Sequence, residues 1–192
     1  LYHRGWRGSV FIVDDNFISN KQKVKSLLRA IAFWQSQRKS RLTFFTEASV
    51  DLAEDPELMS LMVKANFNKV FLGLETPSEE GLRECGKTQN LRRSLSESVA
   101  TIQHHGLAVM GGFIIGFDSD PPDIFQRQVN FIQKNGIVTA MIGLLTAMPG
   151  TRLYQRLERE GRLLFKASGD NTDASGSLNF IPKMDRKTII EG

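Results

Sequence analysis

One cysteine in 192 residues leaves no partner for an internal disulfide, so the chain has no covalent framework and suits a reducing compartment. That lone thiol, Cys85, cannot by itself hold a metal centre, and its reading is a passive small residue, with activation by Arg83 and Lys87 left open. Long hydrophobic runs are missing as well. No stretch approaches the roughly 20 apolar residues of a membrane span, and no leader-like segment opens the chain. A cytoplasmic protein is the expectation. The net charge of +4 is spread thinly, with no aromatic-laced basic block, so nucleic acid is not an expected partner. Ser-His-Asp and HExxH arrangements are absent, and the GKT at 86–88 lacks the upstream glycine of a phosphate loop. His104-His105, at an expected helix end, reads as capping. No methionine precedes Leu1, and the chain breaks off after Ile189-Ile190, so both ends read as cuts in something longer.

What remains is a globular composition, 41% hydrophobic and 24% charged, at a length that suits one domain. Five apolar runs read as strands: 9–13 (SVFIV), 41–46 (RLTFFT), 69–75 (KVFLGLE), the centre of 109–120 (VMGGFIIGFDSD) and 137–145 (IVTAMIGLL). Amphipathic stretches lie between them. Residues 21–37 place Val24, Leu27, Leu28, Ile31 and Trp34 at helical spacing after an Asn20 cap. Asp55-Pro56 opens the next helix, with Leu58, Leu61, Met62 and Ala65 as its stripe. Residues 91–105 read as a helix stopped by Gly106, Pro121-Pro122 starts another that ends at Gly136, and 151–160 reads as a charged helix ended by Gly161. Residues 166–177, rich in Gly, Ser, Asp and Asn, read as loop, with a short extended piece at 179–182. Strand followed by helix, five times over, predicts a parallel α/β sheet, either doubly wound or part of a barrel.

Carboxylates recur where these strands end: Asp14 and Asp15, Glu47, Glu75, then Asp118 and Asp120. Strand ends of a parallel sheet share one face, so these groups would rim one cleft. Aspartate also suits turns and helix caps, which is the bland reading for any single one. Recurrence favours the functional reading, in which the rim binds a cation, holds a divalent ion or moves protons. Glycine weakens a strand interior, so Gly73, Gly112 and Gly116 suggest that something large approaches the backbone.

Four motifs in order carry a family resemblance. They are Phe11-Ile12-Val13-Asp14-Asp15-Asn16-Phe17, Val70-Phe71-Leu72-Gly73-Leu74-Glu75-Thr76, Gly112-Phe113-Ile114-Ile115-Gly116-Phe117-Asp118-Ser119-Asp120 and Met148-Pro149-Gly150-Thr151-Arg152-Leu153-Tyr154. The chain resembles the radical S-adenosylmethionine (SAM) superfamily, in its subgroup with a cobalamin-binding domain. Members labelled magnesium-protoporphyrin monomethyl ester cyclase-like or hopanoid-modifying share the likeness, which reaches Asn179-Phe180-Ile181-Pro182-Lys183-Met184 in the tail. The third motif departs from the superfamily pattern, with Asp120 where it has glutamate.

The resemblance implies a partial (β/α) TIM-like barrel, strands 2 to 6 of the core, over residues 1–165, with 166–192 opening a following region. It implies reductive SAM cleavage by a [4Fe–4S] cluster, giving a 5′-deoxyadenosyl radical that modifies an unactivated carbon. Ferredoxin or flavodoxin would supply the electron, and the substrate would be a small molecule. Asp14, Asp15 and Asn16 would contact the methionine amino group. Glu47 and Glu75 would stand at the ribose and methionine contacts. Gly112, Ile114, Ile115, Gly116 and Asp120 belong to the strand passing under the adenine, and residues 145–147 would border it. The Cx3CxxC cluster motif is missing, so this chain alone is expected to be inactive. An exposed edge would favour a dimer. The alternatives are a magnesium-dependent barrel lyase or hydrolase using the rim carboxylates, and a non-catalytic binding module. A tRNA-directed radical enzyme is disfavoured by the lack of a basic, aromatic-laced stretch.

Overall fold

The computed structural model describes residues 1–91, 94–166 and 178–192. The loop expected at 166–177 lies almost wholly outside them. Five strands, β1 (Ser9–Ile12), β2 (Thr43–Ala48), β3 (Phe67–Glu75), β4 (Ala108–Ile115) and β5 (Thr139–Leu144), pair in parallel in the order β1-β2-β3-β4-β5. An unbroken sequential order is that of a barrel wall. A doubly wound sheet would reverse its order at a switch point. The expected partial barrel is therefore present, as a curled half-barrel.

Seven α-helices accompany the strands among the described residues: α1 (Lys21–Ser36), α2 (Pro56–Lys64), α3 (Glu79–Glu84), α4 (Leu95–His104), α5 (Ile124–Lys134), α6 (Arg152–Arg159) and α7 (Arg186–Glu191). Their ends are set by local chemistry. The Asn20 and Asp55 side chains accept from the N–H groups of Lys23 and Leu58, Pro56 stands in the first turn of α2, and Gly106 and Gly136 follow α4 and α5 at positive φ. The helix read from 91 starts instead at Leu95, where Ser94 caps the Glu97 N–H. A Ser-x-x-Glu capping box carried that signal in the sequence.

Strand β2 runs two residues later than its apolar run suggests. Buried Gln35 takes both backbone groups of Leu42, donating to its carbonyl (2.6 Å) and accepting from its N–H (3.1 Å). Asn66 donates to the same carbonyl (2.6 Å), so ladder pairing begins only at Thr43. As a result Glu47 lies inside the strand.

The two faces of the sheet differ. On one, Val70, Leu72, Leu74, Val109 and Phe113 are buried beneath the helices in one apolar cluster with Leu58, Met62, Val99 and Ile102. None of the described helices covers the other face. Register places Phe11 beside Phe45, Phe71 beside Met110, and Gly73 beside Gly112 and Met141 there. These side chains are half-buried or exposed, with Phe11 stacked on Phe45 at 4.9 Å between ring centroids. Among the described residues no helix is long and apolar enough to cross a membrane.

Candidate functional site

The carboxyl ends of the strands form a rim above the bare concave face. At the β1 exit, Asp14 and Asp15 are exposed. Asp14 accepts the Asn16 N–H (3.0 Å), and neither has an ion-pair partner among the described residues. Asn16 stands differently. Its Oδ1 accepts from the backbone N–H (3.2 Å) and hydroxyl (3.3 Å) of Ser49, which belongs to a chain of contacts through Asp51 to Lys21. The amide oxygen expected to meet a ligand ammonium is thus already engaged.

Glu47 projects from the concave side of β2, in register with Phe71. Glu75 ends β3 in the left-handed region (φ 64°) and pairs with Lys87 at 2.9 Å. That pair lies over Gly73, where an added Cβ would come within 2.7 Å of the Glu75 carboxylate and 3.2 Å of Lys87 Nζ. Lys87 carried no signal in the sequence. Its role follows from the short turn after α3, which returns it to the rim.

The β4 exit is built inward. Ile114 faces the concave side, whereas Ile115 is buried among Ile124, Ala147, Leu157 and Phe180, so only the backbone of Ile115 remains near the rim. The Ile115 carbonyl accepts the Leu145 N–H (2.8 Å), and buried Gln128 donates to the Ile114 carbonyl (2.9 Å). Gly116 turns the chain at φ 112°. Asp120 folds back to accept the N–H groups of Gly116 (2.8 Å) and Phe117 (3.0 Å). Burial pushes its carboxyl above the ordinary 3.8, against those two donors. Asp118 binds Arg162 through two hydrogen bonds (2.6 and 2.8 Å), which hold its carboxyl below 3.8, with Arg156 at 3.2 Å. Glu84 accepts from the N–H groups of Asp118 and Ser119 and pairs with Arg156. So, of the two aspartates counted with the rim in the sequence, Asp118 is tied to the fold through both oxygens and Asp120 through Oδ2, while the buried Oδ1 of Asp120 has no partner among the described residues. Asn179, which the sequence marks as part of a short extended piece and of the tail likeness but not as a site residue, is buried at the β5 exit.

Cys85 ends α3, with its thiol pushed above the ordinary 9.0 by burial, while Arg83 and Lys87 are occupied by Glu79 and Glu75. Neither neighbouring cation is free to favour the thiolate. His104 and His105 place Nδ1 against the carbonyls of Ala100 and Thr101 at the end of α4, in keeping with capping. Among the described residues no three His, Cys, Asp or Glu side chains are grouped to hold a metal ion.

Residues 151–192 match a family described as a domain of unknown function, DUF4070. Over 182 residues the chain is 50% identical to an uncharacterised methyltransferase of Synechocystis sp., covering 95% of this chain and 34% of that protein. It is 39% identical to the hopanoid C-2 methylase of Rhodopseudomonas palustris, over 83% of this chain and 30% of the methylase. The chain therefore spans about a third of the length of these curated relatives. Among solved structures it superposes on the radical SAM methyltransferase TsrM of Kitasatospora setae, determined with cobalamin and a [4Fe–4S] cluster bound. The TM-score is 0.66 and the identity 17%, over 91% of this chain and 35% of that one. The cobalamin-dependent radical SAM enzyme OxsB, with aqua-cobalamin and SAM bound, gives 0.56 at 15% identity, over 83% of this chain and 23% of that one. In fold the chain thus matches these cobalamin-dependent radical SAM enzymes, and in sequence it is similar to methyltransferases over about a third of their length.

Proposed function

We propose that this chain forms the SAM-binding wall of a cobalamin-dependent radical SAM methyltransferase acting on an unactivated carbon of a small molecule. The observation that carries this reading is the concave face, on which none of the described helices lies, rimmed at the exits of β1 to β3 by carboxylates with open oxygens. An ammonium favours carboxylate oxygens, and Asp14, Asp15 and Glu47 offer them. The Glu75–Lys87 pair presents both charges side by side, the complement of an amino-acid end that carries an ammonium and a carboxylate. At Gly112 the Phe71 ring stands 2.8 Å from where a Cβ would be, so glycine lets that ring lie flat on the strand and form a floor for a base beside Ile114.

The residues present therefore fit SAM. They do not fit a [4Fe–4S] cluster, which needs three thiolates where this chain has one. Cluster and cobalamin would be held by other parts of the enzyme, and the chain by itself is expected to cleave no SAM. What SAM supplies is the radical chemistry of the superfamily. What this chain supplies is charge complementarity, a flat floor and shelter from water. A reductant such as ferredoxin or flavodoxin belongs to the same reading, as does a following region that begins near residue 166. The edge strands and the residues next to them expose Phe11, Val13, Val138 and Ile142, which favours self-association; a monomer by light scattering at high concentration would count against it.

Calorimetry tests the site. SAM should release or absorb heat on mixing with the chain, and Asp14→Ala with Asp15→Ala should abolish the signal while the thermal midpoint holds. Tight binding of Mg²⁺ with no response to SAM would overturn the reading in favour of a metal-dependent barrel enzyme.

A further inference from the structure

The segment after α6 makes contacts that an apolar cover would not need. Residues 162–165 and 178–181 lie side by side, joined by an antiparallel bridge between Leu163 and Phe180. The Leu164 N–H donates to the Asn179 carbonyl (3.0 Å), and the Ile181 N–H to the Arg162 carbonyl (2.8 Å). Two polar side chains leave this strap, and each ends on a different exit loop. Asn179, 1% exposed, accepts the Ala147 N–H (2.9 Å) and donates to the Ala147 carbonyl (2.9 Å). It also donates to the Phe165 carbonyl (3.3 Å). Arg162 forks onto Asp118, two residues beyond Gly116, and donates through Nε to the Ile181 carbonyl (2.8 Å). Leu178 closes the gap between the loops, 3.8 Å from where a Cβ on Gly116 would stand.

Apolar packing alone would be satisfied by a leucine at 179. A buried amide is costly unless its bonds are made, and here both backbone groups of one residue are matched by one side chain. Such a match fixes the orientation of the peptides around Ala147 as well as the position of the loop. The same strap fixes the β4 exit through a planar, two-bond contact that lysine could not reproduce. We infer that this strap, which lies within the stretch matching the domain of unknown function, is a clamp that sets the exit loops of β4 and β5. Asn179 and Arg162 are its positioning residues. Resting on the proposed function, the clamp fixes the part of the rim that borders the adenosyl group, so it tunes ligand affinity without touching the ligand.

Hydrogen exchange followed by mass spectrometry, with SAM calorimetry on the same samples, tests this on the whole chain. Asn179→Asp keeps the volume and the acceptor but removes the donors to Ala147 and Phe165. Exchange should quicken in 116–118 and 145–148 and stay unchanged in β1 to β3. SAM affinity should fall about tenfold, the weight of roughly one buried hydrogen bond. Arg162→Lys, which keeps the charge on Asp118, should loosen 116–118 more than 145–148 and serves if the first variant fails to fold. Exit loops that exchange as in the unaltered chain would overturn the clamp, as would unchanged SAM affinity in a variant whose loops have loosened. Exchange that rises evenly over all five strands would reduce the strap to general packing. If the unaltered chain gives no heat with SAM, the proposed function fails, and loop exchange alone decides the clamp.

Discussion

The two ends of the rim use the same residue type for opposite purposes. At the exits of β1 to β3, Asp14, Asp15 and Glu47 have no ion-pair partner among the described residues, and Glu75 meets a lysine at the open face. At the exits of β4 and β5, Asp118, Asp120 and Glu84 are spent on backbone N–H groups and on two arginines. A carboxylate at a strand end is thus no evidence of ligand binding until its partners are known. The open end offers charge, and the closed end offers a fixed shape. A ligand with a charged amino-acid end and a rigid, flat base matches that division.

The largest effect expected from breaking this contrast lies at the closed end. Asp118 is 6% exposed at its side chain and Arg162 15%. Arg162→Ala removes two short bonds to Asp118 and leaves Arg156, at 3.2 Å, as its remaining ion-pair partner among the described residues, so it should cost about 2 kcal/mol in urea unfolding. By comparison, Arg83→Ala breaks an exposed pair with Glu79 and should cost under about 0.5 kcal/mol. Equal losses from the two would erase the distinction between spent and available carboxylates.

Gly116 and Gly112 sharpen it next. Gly116 turns at φ 112°, so Gly116→Ala should cost about 1–2 kcal/mol whatever the space around it. Gly112 has no such backbone demand; its Cβ would come within 2.8 Å of the Phe71 ring and 3.7 Å of the Leu72 carbonyl. Gly112→Ala should therefore cost less, about 0.5–1 kcal/mol, yet weaken SAM binding by pushing the Phe71 ring off the strand. Denaturation and calorimetry on both variants would reveal the crossover.

Acidity separates the two aspartates of the closed end. The Asp118 carboxyl is depressed, so its stabilising share is complete above pH 3.8 and is lost as pH falls through its lower folded value. The Asp120 carboxyl is raised, so the folded chain holds its proton longer. Its share therefore favours folding in acid and fades as pH climbs from 3.8 through the raised value. Asp120→Asn should flatten the decline in stability on that climb, while Arg162→Ala should flatten the loss below pH 3.8. Unfolding measured from about pH 1 to pH 7 would show whether the two slopes respond separately.

Much of this fold was legible because apolar runs and helical spacing are local signals. Asn20, Asp55-Pro56, Gly106 and Gly136 stop and start helices through contacts within a few residues. The carboxylate rim was legible as a pattern, but its division was not. Arg162 lies 44 residues from Asp118, and Asn179 lies 32 from Ala147, so only the folded chain brings them together. The β2 boundary failed for a related reason, since Gln35 and Asn66 claim Leu42 from outside the strand. The four ordered motifs compensated. They identified the half-barrel when periodicity left a doubly wound sheet equally open.

The smallest expected change in stability belongs to the open end. Asp14 and Asp15 are exposed, and apart from the contact between Asp14 and the Asn16 N–H they support nothing in the fold. Asp14→Asn with Asp15→Asn keeps shape and one accepting oxygen on each side chain while removing two negative charges. Unfolding should shift by less than about 0.5 kcal/mol, as for surface substitutions away from caps and pairs. Binding should respond differently, because an ammonium distinguishes a carboxylate from an amide by charge. A charge-assisted bond is roughly twice as strong as a neutral one, so SAM affinity should fall at least tenfold. Raising the salt concentration should narrow the gap between the unaltered chain and the variant, since exposed charges act within a Debye length of about 10 Å at 0.1 M. A double variant that binds as well as the parent chain would mean that Glu47 and Glu75 alone carry the charge, moving the ligand's amino end from β1 toward β3.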